Sequence, residues 1–254
     1  MTIPLINAGV QTDNIDVYKS TYQMPRTFTH TVFGEEATAT WCGYCPTVIN
    51  ILDNIWNSGQ YDWYYVALVT DMNSNANSRV SELGVTGYPT MVYDGGYQTL
   101  VGAGPSQSQH EQAIQTCGNR NVADIDLTVT AGWLGNGEIS VSAEITNNEG
   151  STYNGHLHVY VTEKQSRWYN QGTQYHFAMI NDYAINQDVT VPAGDTITLS
   201  ETWSGYSDIT IGNIKVIGSV FAQGTAYTDE TDGTDPEVPN TNPPTTPSIP
   251  SGPT

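Results

Sequence analysis

Basic residues are scarce in this chain: 7 Lys and Arg stand against 26 Asp and Glu in 254 residues, a formal net charge of −19. A surface so poor in cations does not neutralise phosphates, which argues against nucleic acid as a partner, and it disfavours docking on anionic lipid. Long apolar runs are missing too. No stretch approaches the roughly 20 consecutive apolar residues needed to cross a bilayer as a helix. The opening segment Met1–Ala8 has neither a basic region nor a sustained apolar core, so it does not read as a signal peptide. Cysteine is limited to three residues, too few for a disulfide framework or a four-thiolate zinc site.

What the chain does hold is organised in blocks. From about 27 to 122 the pattern alternates between strand and helix. A strand-like run ends in Ala37–Trp41, and Val48, Ile49, Leu52, Ile55 and Trp56 then recur at helical spacing. Trp63–Val69 is short and continuously apolar, as in a buried central strand. Ser74–Leu83 reads as a second helix stopped at Gly84, and Thr90–Tyr93, an Asp94-Gly95-Gly96 turn and Tyr97–Val101 read as a hairpin. Ser106–Cys117 closes the block as a helix with Ser106 as N-cap and Gly118 beyond its end.

From 123 to 228 the period changes to two. Ile125–Thr130, Ile139–Ile145, Leu157–Val161, Ile209–Ile211 and Ile214–Val216 predict an antiparallel β-sandwich. Residues 229–254 predict a linker, first acidic and then rich in Pro and Thr, because such a tract cannot bury apolar surface. Residues 1–26 are left as an N-terminal arm. The Thr/Pro tract and the low Lys content suggest an extracytoplasmic protein trimmed of its export signal, tethered through a continuation beyond the tract.

Two of the cysteines are Cys42 and Cys45, separated by Gly43-Tyr44. Zinc would need a second ligand pair, and a structural disulfide over so short a loop would stabilise little. The pair falls where a strand gives way to a helix, so helix N–H groups can favour a Cys42 thiolate while Cys45 lies one turn in.

The run Ala39-Thr40-Trp41-Cys42-Gly43-Tyr44-Cys45-Pro46 resembles the WCGxC site of the thioredoxin-like superfamily, and Gly87-Tyr88-Pro89-Thr90 resembles its cis-proline loop. The resemblance implies an α/β thioredoxin-like domain over 27–122 with Cys42 as nucleophile and Cys45 as resolving thiol. It implies a cis Pro89 beside the dithiol, leaving the Tyr88 backbone to pair with a substrate chain. Glu36, six residues before Cys42, matches the family's buried carboxylate that takes the proton from the resolving cysteine. Trp41, Gly43, Tyr44, Tyr88 and Thr90 would shape the substrate groove. Tyr44 departs from the usual Pro or His between the cysteines, and this leaves the direction of electron flow open. The two-block layout, with the Val159–Glu163 strand and His176–Ile180, also resembles the Omp28-related outer-membrane or surface proteins.

These residues predict an extracytoplasmic thiol–disulfide oxidoreductase acting on protein or peptide disulfides, with an electron-transfer partner and no cofactor or metal. The alternative is a surface adhesion or assembly protein with a redox-inert thioredoxin-like scaffold and a β-sandwich binding module. Cys117 reads as a small buried apolar residue. Asp71–Asn77 with Glu82 imitates a calcium loop, but Ala76 stands where such a loop needs Gly, so it reads as a polar loop and helix start. His156 and His158 share a strand face and read as exposed. Whether the aromatics of the second block (Trp133, Trp168, Tyr169, Tyr175, Trp203, Tyr206) are core or an exposed platform is left open.

Overall fold

The computed structural model describes residues 28–238. The arm at 1–26 and most of the Pro/Thr tract lie outside them. The first block runs β1 (Val32–Thr38), α1 (Cys45–Ser58), β2 (Trp63–Val69), α2 (Ser74–Glu82), β3 (Thr90–Tyr93), β4 (Gln98–Val101) and α3 (Gln107–Gly118). Then come β5 (Ile125–Gly135), β6 (Glu138–Asn147), β7 (Tyr153–Glu163) and three two-residue strands, β8 (Tyr169–Asn170), β9 (Thr173–Gln174) and β10 (Ala178–Met179). The last four are β11 (Ile185–Val191), β12 (Thr196–Ser204), β13 (Ile214–Ala222) and β14 (Thr228–Thr234). The fold is a strand-rich mixed sheet with few helices.

In the first block β1 is central. It pairs parallel with β2 and antiparallel with β3, which pairs antiparallel with β4. The helix signals act as their chemistry predicts. Asn73 caps α2 by accepting from the Asn75 and Ala76 N–H groups, and the Gln109 side chain accepts from the Ser106 N–H at the start of α3. Gly59 ends α1 with a φ of 62°, a left-handed cap that suits glycine. Val48, Leu52 and Ile55 of α1 join Ala113, Ile114 and Cys117 of α3 in one apolar cluster.

The second block corrects the expectation of a separate sandwich. Its strands continue the first block's sheet, in the order β14-β13-β7-β10-β2-β1-β3-β4 with β11 also on β7. The join is β10, which pairs parallel with β2 at Ala67 and antiparallel with β7 at Thr162 and Glu163. The Ala67 N–H donates to the Phe177 carbonyl at 3.0 Å. The backbone groups on the outer edge of a buried apolar strand such as β2 need partners, and the second block supplies one there at Ala67. A smaller sheet, β12-β6-β5, encloses a second core with the extension of the large one. Val129, Val141 and Ile145 meet Val159, Val161 and Val220 there.

Three local expectations also change. Ile209–Ile211 is not a strand: the chain makes a 3-10 turn over Ile211–Asn213 and enters β13 at Ile214. The acidic run predicted as linker is largely β14, an edge strand on β13. Asp229, Glu230 and Thr231 are buried because each finds polar partners. The Tyr153 hydroxyl donates to Asp229 at 3.0 Å, and the Thr31 N–H donates to Glu230 at 3.0 Å. Composition cannot see those partners. The histidine pair is also not plainly exposed. His158 is buried, stacked on Tyr183 and packed against Tyr160 and Phe221, while His156 is partly exposed and hydrogen-bonded to Asp188 and Asn186.

Burial, with Arg79 and His156 nearby, pushes His158 down to about 2, and burial pushes His110 down to about 4. A histidine held neutral in the fold supports stability at and above its unfolded pKa of about 6.5, and that support is lost as pH falls below it. Below pH 6.5 wild type should therefore lose stability faster than His158→Phe. The gap should open by up to about 1.4 kcal/mol per pH unit in urea midpoints taken from pH 7 to 5. Parallel curves for the two proteins would remove His158 as the cause.

Candidate functional site

β1 ends at Thr38, and Ala39–Tyr44 turn the chain into α1, whose first residue is Cys45. The turn is held by its own backbone: the Cys42 N–H donates to Ala39 O at 3.0 Å, and the Cys45 N–H to Cys42 O at 3.3 Å. Pro46 follows in the first turn of α1, where a missing N–H costs nothing. Cys42 and Cys45 form a disulfide with a Cα–Cα distance of 5.5 Å. Cys45 is fully buried and Cys42 is 4% exposed, while the neighbouring Trp41 and Tyr44 are 69% and 73% exposed. Two large aromatic side chains left in water beside a nearly covered disulfide make an exposed apolar rim around it.

The second sequence motif lies against the first. The Tyr88–Pro89 peptide is cis. Tyr88 packs on the cluster of Ala39, Cys42 and Cys45 and meets Trp41 edge-on, with ring centroids 5.8 Å apart. Pro89 is buried, and Thr90, also buried, donates from its hydroxyl to Gly87 O at 2.8 Å, closing the loop that carries Tyr88. The Thr40 side chain is held by Asp71, whose Oδ1 also accepts from the Thr40 N–H at 3.0 Å. Asp71 thus braces the turn before Trp41.

Glu36 sits in the middle of β1, between Ala67 of β2 and Met91 of β3, and is 1% exposed. Its Oε1 has no hydrogen-bond partner among the described residues. Burial raises its carboxyl from about 4.5 to about 8. An unpaired buried carboxyl costs stability, and its raised pKa lets it exchange a proton near neutral pH. Cys117 is buried and unpaired in α3, and burial drives its thiol up, so it is a poor nucleophile. No group of three or more metal-ligating side chains occurs among the described residues.

The sequence reading missed one side of the site. The short hairpin β8–β9 turns through Gln171 and Gly172, both with positive φ (50° and 84°), as a two-residue hairpin turn requires. It brings Asn170, fully buried, onto the Cys42 turn: its Nδ2 donates to Cys42 O at 2.8 Å and to Ala39 O at 3.0 Å. A Gly in a brief polar run signals the turn, but nothing in the chain signals where the hairpin docks.

The described residues thus form a sheet-rich fold with a cysteine pair at a helix start. No family model matches the chain, and no curated protein matches it. Among solved structures it is similar to HBP35 of Porphyromonas gingivalis, with 16% identity and a TM-score of 0.62 over 90% of this chain and 82% of that one. It is also similar to a domain of the outer membrane lipoprotein Omp28 from Porphyromonas gingivalis, with 13% identity and a TM-score of 0.31 over 47% of this chain and 93% of that one. The likeness to HBP35 is one of fold.

Proposed function

We propose that this chain is an extracytoplasmic thiol–disulfide oxidoreductase whose first block is thioredoxin-like. The observation that supports it most is the Cys42–Cys45 disulfide at the start of α1, closely covered by the Tyr88-Pro89 loop and rimmed by exposed Trp41 and Tyr44. The Lys-poor, Thr/Pro-rich composition supports the extracytoplasmic address.

In the reduced protein the Cys42 thiolate attacks one sulfur of a protein or peptide disulfide. A new S–S bond forms, the substrate bond breaks, and the displaced sulfur leaves as a thiolate that takes a proton from water. Cys45 gives its proton to Glu36 and attacks the Cys42 sulfur of the mixed disulfide, releasing the second substrate thiol. The protein is left oxidised, and a dithiol partner reduces it by the reverse exchange. Trp41, Tyr44 and Tyr88 hold an extended substrate segment by apolar and stacking contact, and Gly43 and Thr90 keep the groove narrow and shaped.

The test is catalysed reduction of a disulfide-linked peptide with dithiothreitol as the electron source. Turnover above the dithiothreitol background is expected, and background rates alone would overturn the reading. The Glu36 role has its own signature. Glu36 ionises with a midpoint at about pH 8, so the rate of mixed-disulfide resolution should rise as pH increases through that value. Glu36→Gln should lose the inflection and about tenfold or more in kcat at pH 8, with KM little changed. A full inflection in the variant would exclude Glu36 as the relay.

A further inference from the structure

Resting on the oxidoreductase reading, we infer that Asn170, contributed by the second block, is a positioning residue for the Cys42 nucleophile. The two acceptors of its amide are the carbonyls of Ala39 and Cys42, the same two that hold the turn's internal hydrogen bonds. Both are oxygens, so only the NH2 end of the side chain can face them. Asn170 therefore ties the first and last residues of the Ala39–Cys42 turn together from outside. It does so from a hairpin rather than from the sheet, and Gln171 beside it lies along Gly43: a Cβ added to Gly43 would stand 3.6 Å from Gln171 Nε2.

The consequence for the chemistry is electrostatic and geometric. The reactive sulfur belongs to the residue whose carbonyl Asn170 holds, so the amide fixes the backbone that presents that sulfur to the N–H groups at the start of α1. The amide also places the positive end of its dipole against the carbonyls of Ala39 and of Cys42 itself, offsetting their negative ends as the thiolate develops. Oxidised Cys42 carries no charge, so this favours the reduced form. The joining of the two blocks into one sheet thereby acquires a functional role, because the second block sets how strongly the first one holds electrons.

The experiment compares full-length wild type with Asn170→Ala and Asn170→Asp. Each reduced protein is alkylated with iodoacetamide across pH 5 to 9: the Cys42 thiolate forms an S–C bond and iodide leaves. Each is also equilibrated with glutathione, where the protein disulfide and two glutathione thiols exchange for the protein dithiol and glutathione disulfide. Asn170→Ala should alkylate about 3- to 10-fold more slowly at pH 6.5 and shift the glutathione equilibrium toward the protein disulfide by a similar factor, a tenfold change being about 30 mV. Asn170→Asp, nearly the same size but facing two carbonyls with acceptors, should be worse than Ala on both readouts. A residue that merely filled space would give the opposite ranking.

Thermal unfolding of all three proteins separates folding from chemistry. If Asn170→Ala lowers the melting temperature but leaves the alkylation profile and the potential at wild-type values, Asn170 is structural and the inference fails. If Asn170→Asp does not fold, the Ala variant alone decides. Turnover of the disulfide peptide by wild type tests the underlying activity separately. A wild type that does not turn over, with an alkylation profile that Asn170→Ala still shifts, would reject the activity and keep the positioning role.

Discussion

Cys42→Ser should reduce disulfide turnover to the dithiothreitol background, a loss of about 1000-fold or more, with a melting temperature close to that of the reduced wild type. The size of the effect follows from covalent catalysis: without the sulfur no mixed disulfide forms, and a hydroxyl does not replace it. The stability expectation follows because neither protein carries the bridge, and even the oxidised wild type should gain little, since a bridge over so short a loop removes little entropy from the unfolded chain. Cys45→Ser should behave differently. It retains the attacking sulfur, so it should trap the substrate as a stable mixed disulfide visible by mass spectrometry. A redox-inert scaffold predicts something else again, with both variants indistinguishable from wild type in every function of the protein. Wild-type turnover by Cys42→Ser would end the oxidoreductase reading.

The second large effect is on stability. Glu35 of β1 is fully buried and receives Arg79 of α2 in a two-point contact, Nε to Oε1 at 2.7 Å and Nη2 to Oε2 at 3.0 Å. The Tyr160 hydroxyl of β7 donates to the same Oε1 at 2.8 Å, and Arg79 lies over the Phe221 ring of β13 at 5.1 Å. The cluster therefore spans both blocks. Arg79→Met should destabilise the protein by about 3–5 kcal/mol, because it leaves a buried carboxylate with a hydroxyl as its main partner. The measurement is the urea midpoint. Replacing both members, Glu35→Leu with Arg79→Met, should recover much of the loss, since a well-packed apolar pair avoids the cost of burying charge. A single-variant loss below about 1 kcal/mol would mean that water reaches Glu35 freely.

The first block was largely legible from its sequence. The apolar spacing from Val48 to Trp56, the unbroken run Trp63–Val69 and the Asp94-Gly95-Gly96 turn each encode a local preference that packing did not override. The acidic strand and the buried histidine were not legible. Asp229 and Glu230 look solvated by composition and are buried because partners far away in the chain satisfy them, whereas His158 is buried by ring packing on Tyr183, with its Nδ1 left without a hydrogen-bond partner among the described residues. Ile209–Ile211 shows the opposite error: Ile209 and Thr210 pair with no strand among the described residues, Ile211 opens a 3-10 turn, and the strand starts only at Ile214.

The site divides in the same way. Short-range spacing placed Cys42 and Cys45 at a helix start, and the resemblance to the thioredoxin-like WCGxC and cis-proline motifs supplied Trp41, Tyr44 and the Tyr88-Pro89 pair. Glu36 was also named, but only its place in mid-strand, with all sides covered, raises its pKa toward neutrality. Asn170 needed the tertiary structure entirely. Its partners lie 128 and 131 residues away in the chain, and the pairing of β10 with β2 is what brings the hairpin that carries it to the cysteines. By itself the sequence determined the cysteine pair and the local elements that present it, because both depend on neighbours a few residues apart. Only the tertiary structure decided that the second block is part of the same sheet and reaches the site, because that depends on which strand edges would otherwise be left unpaired.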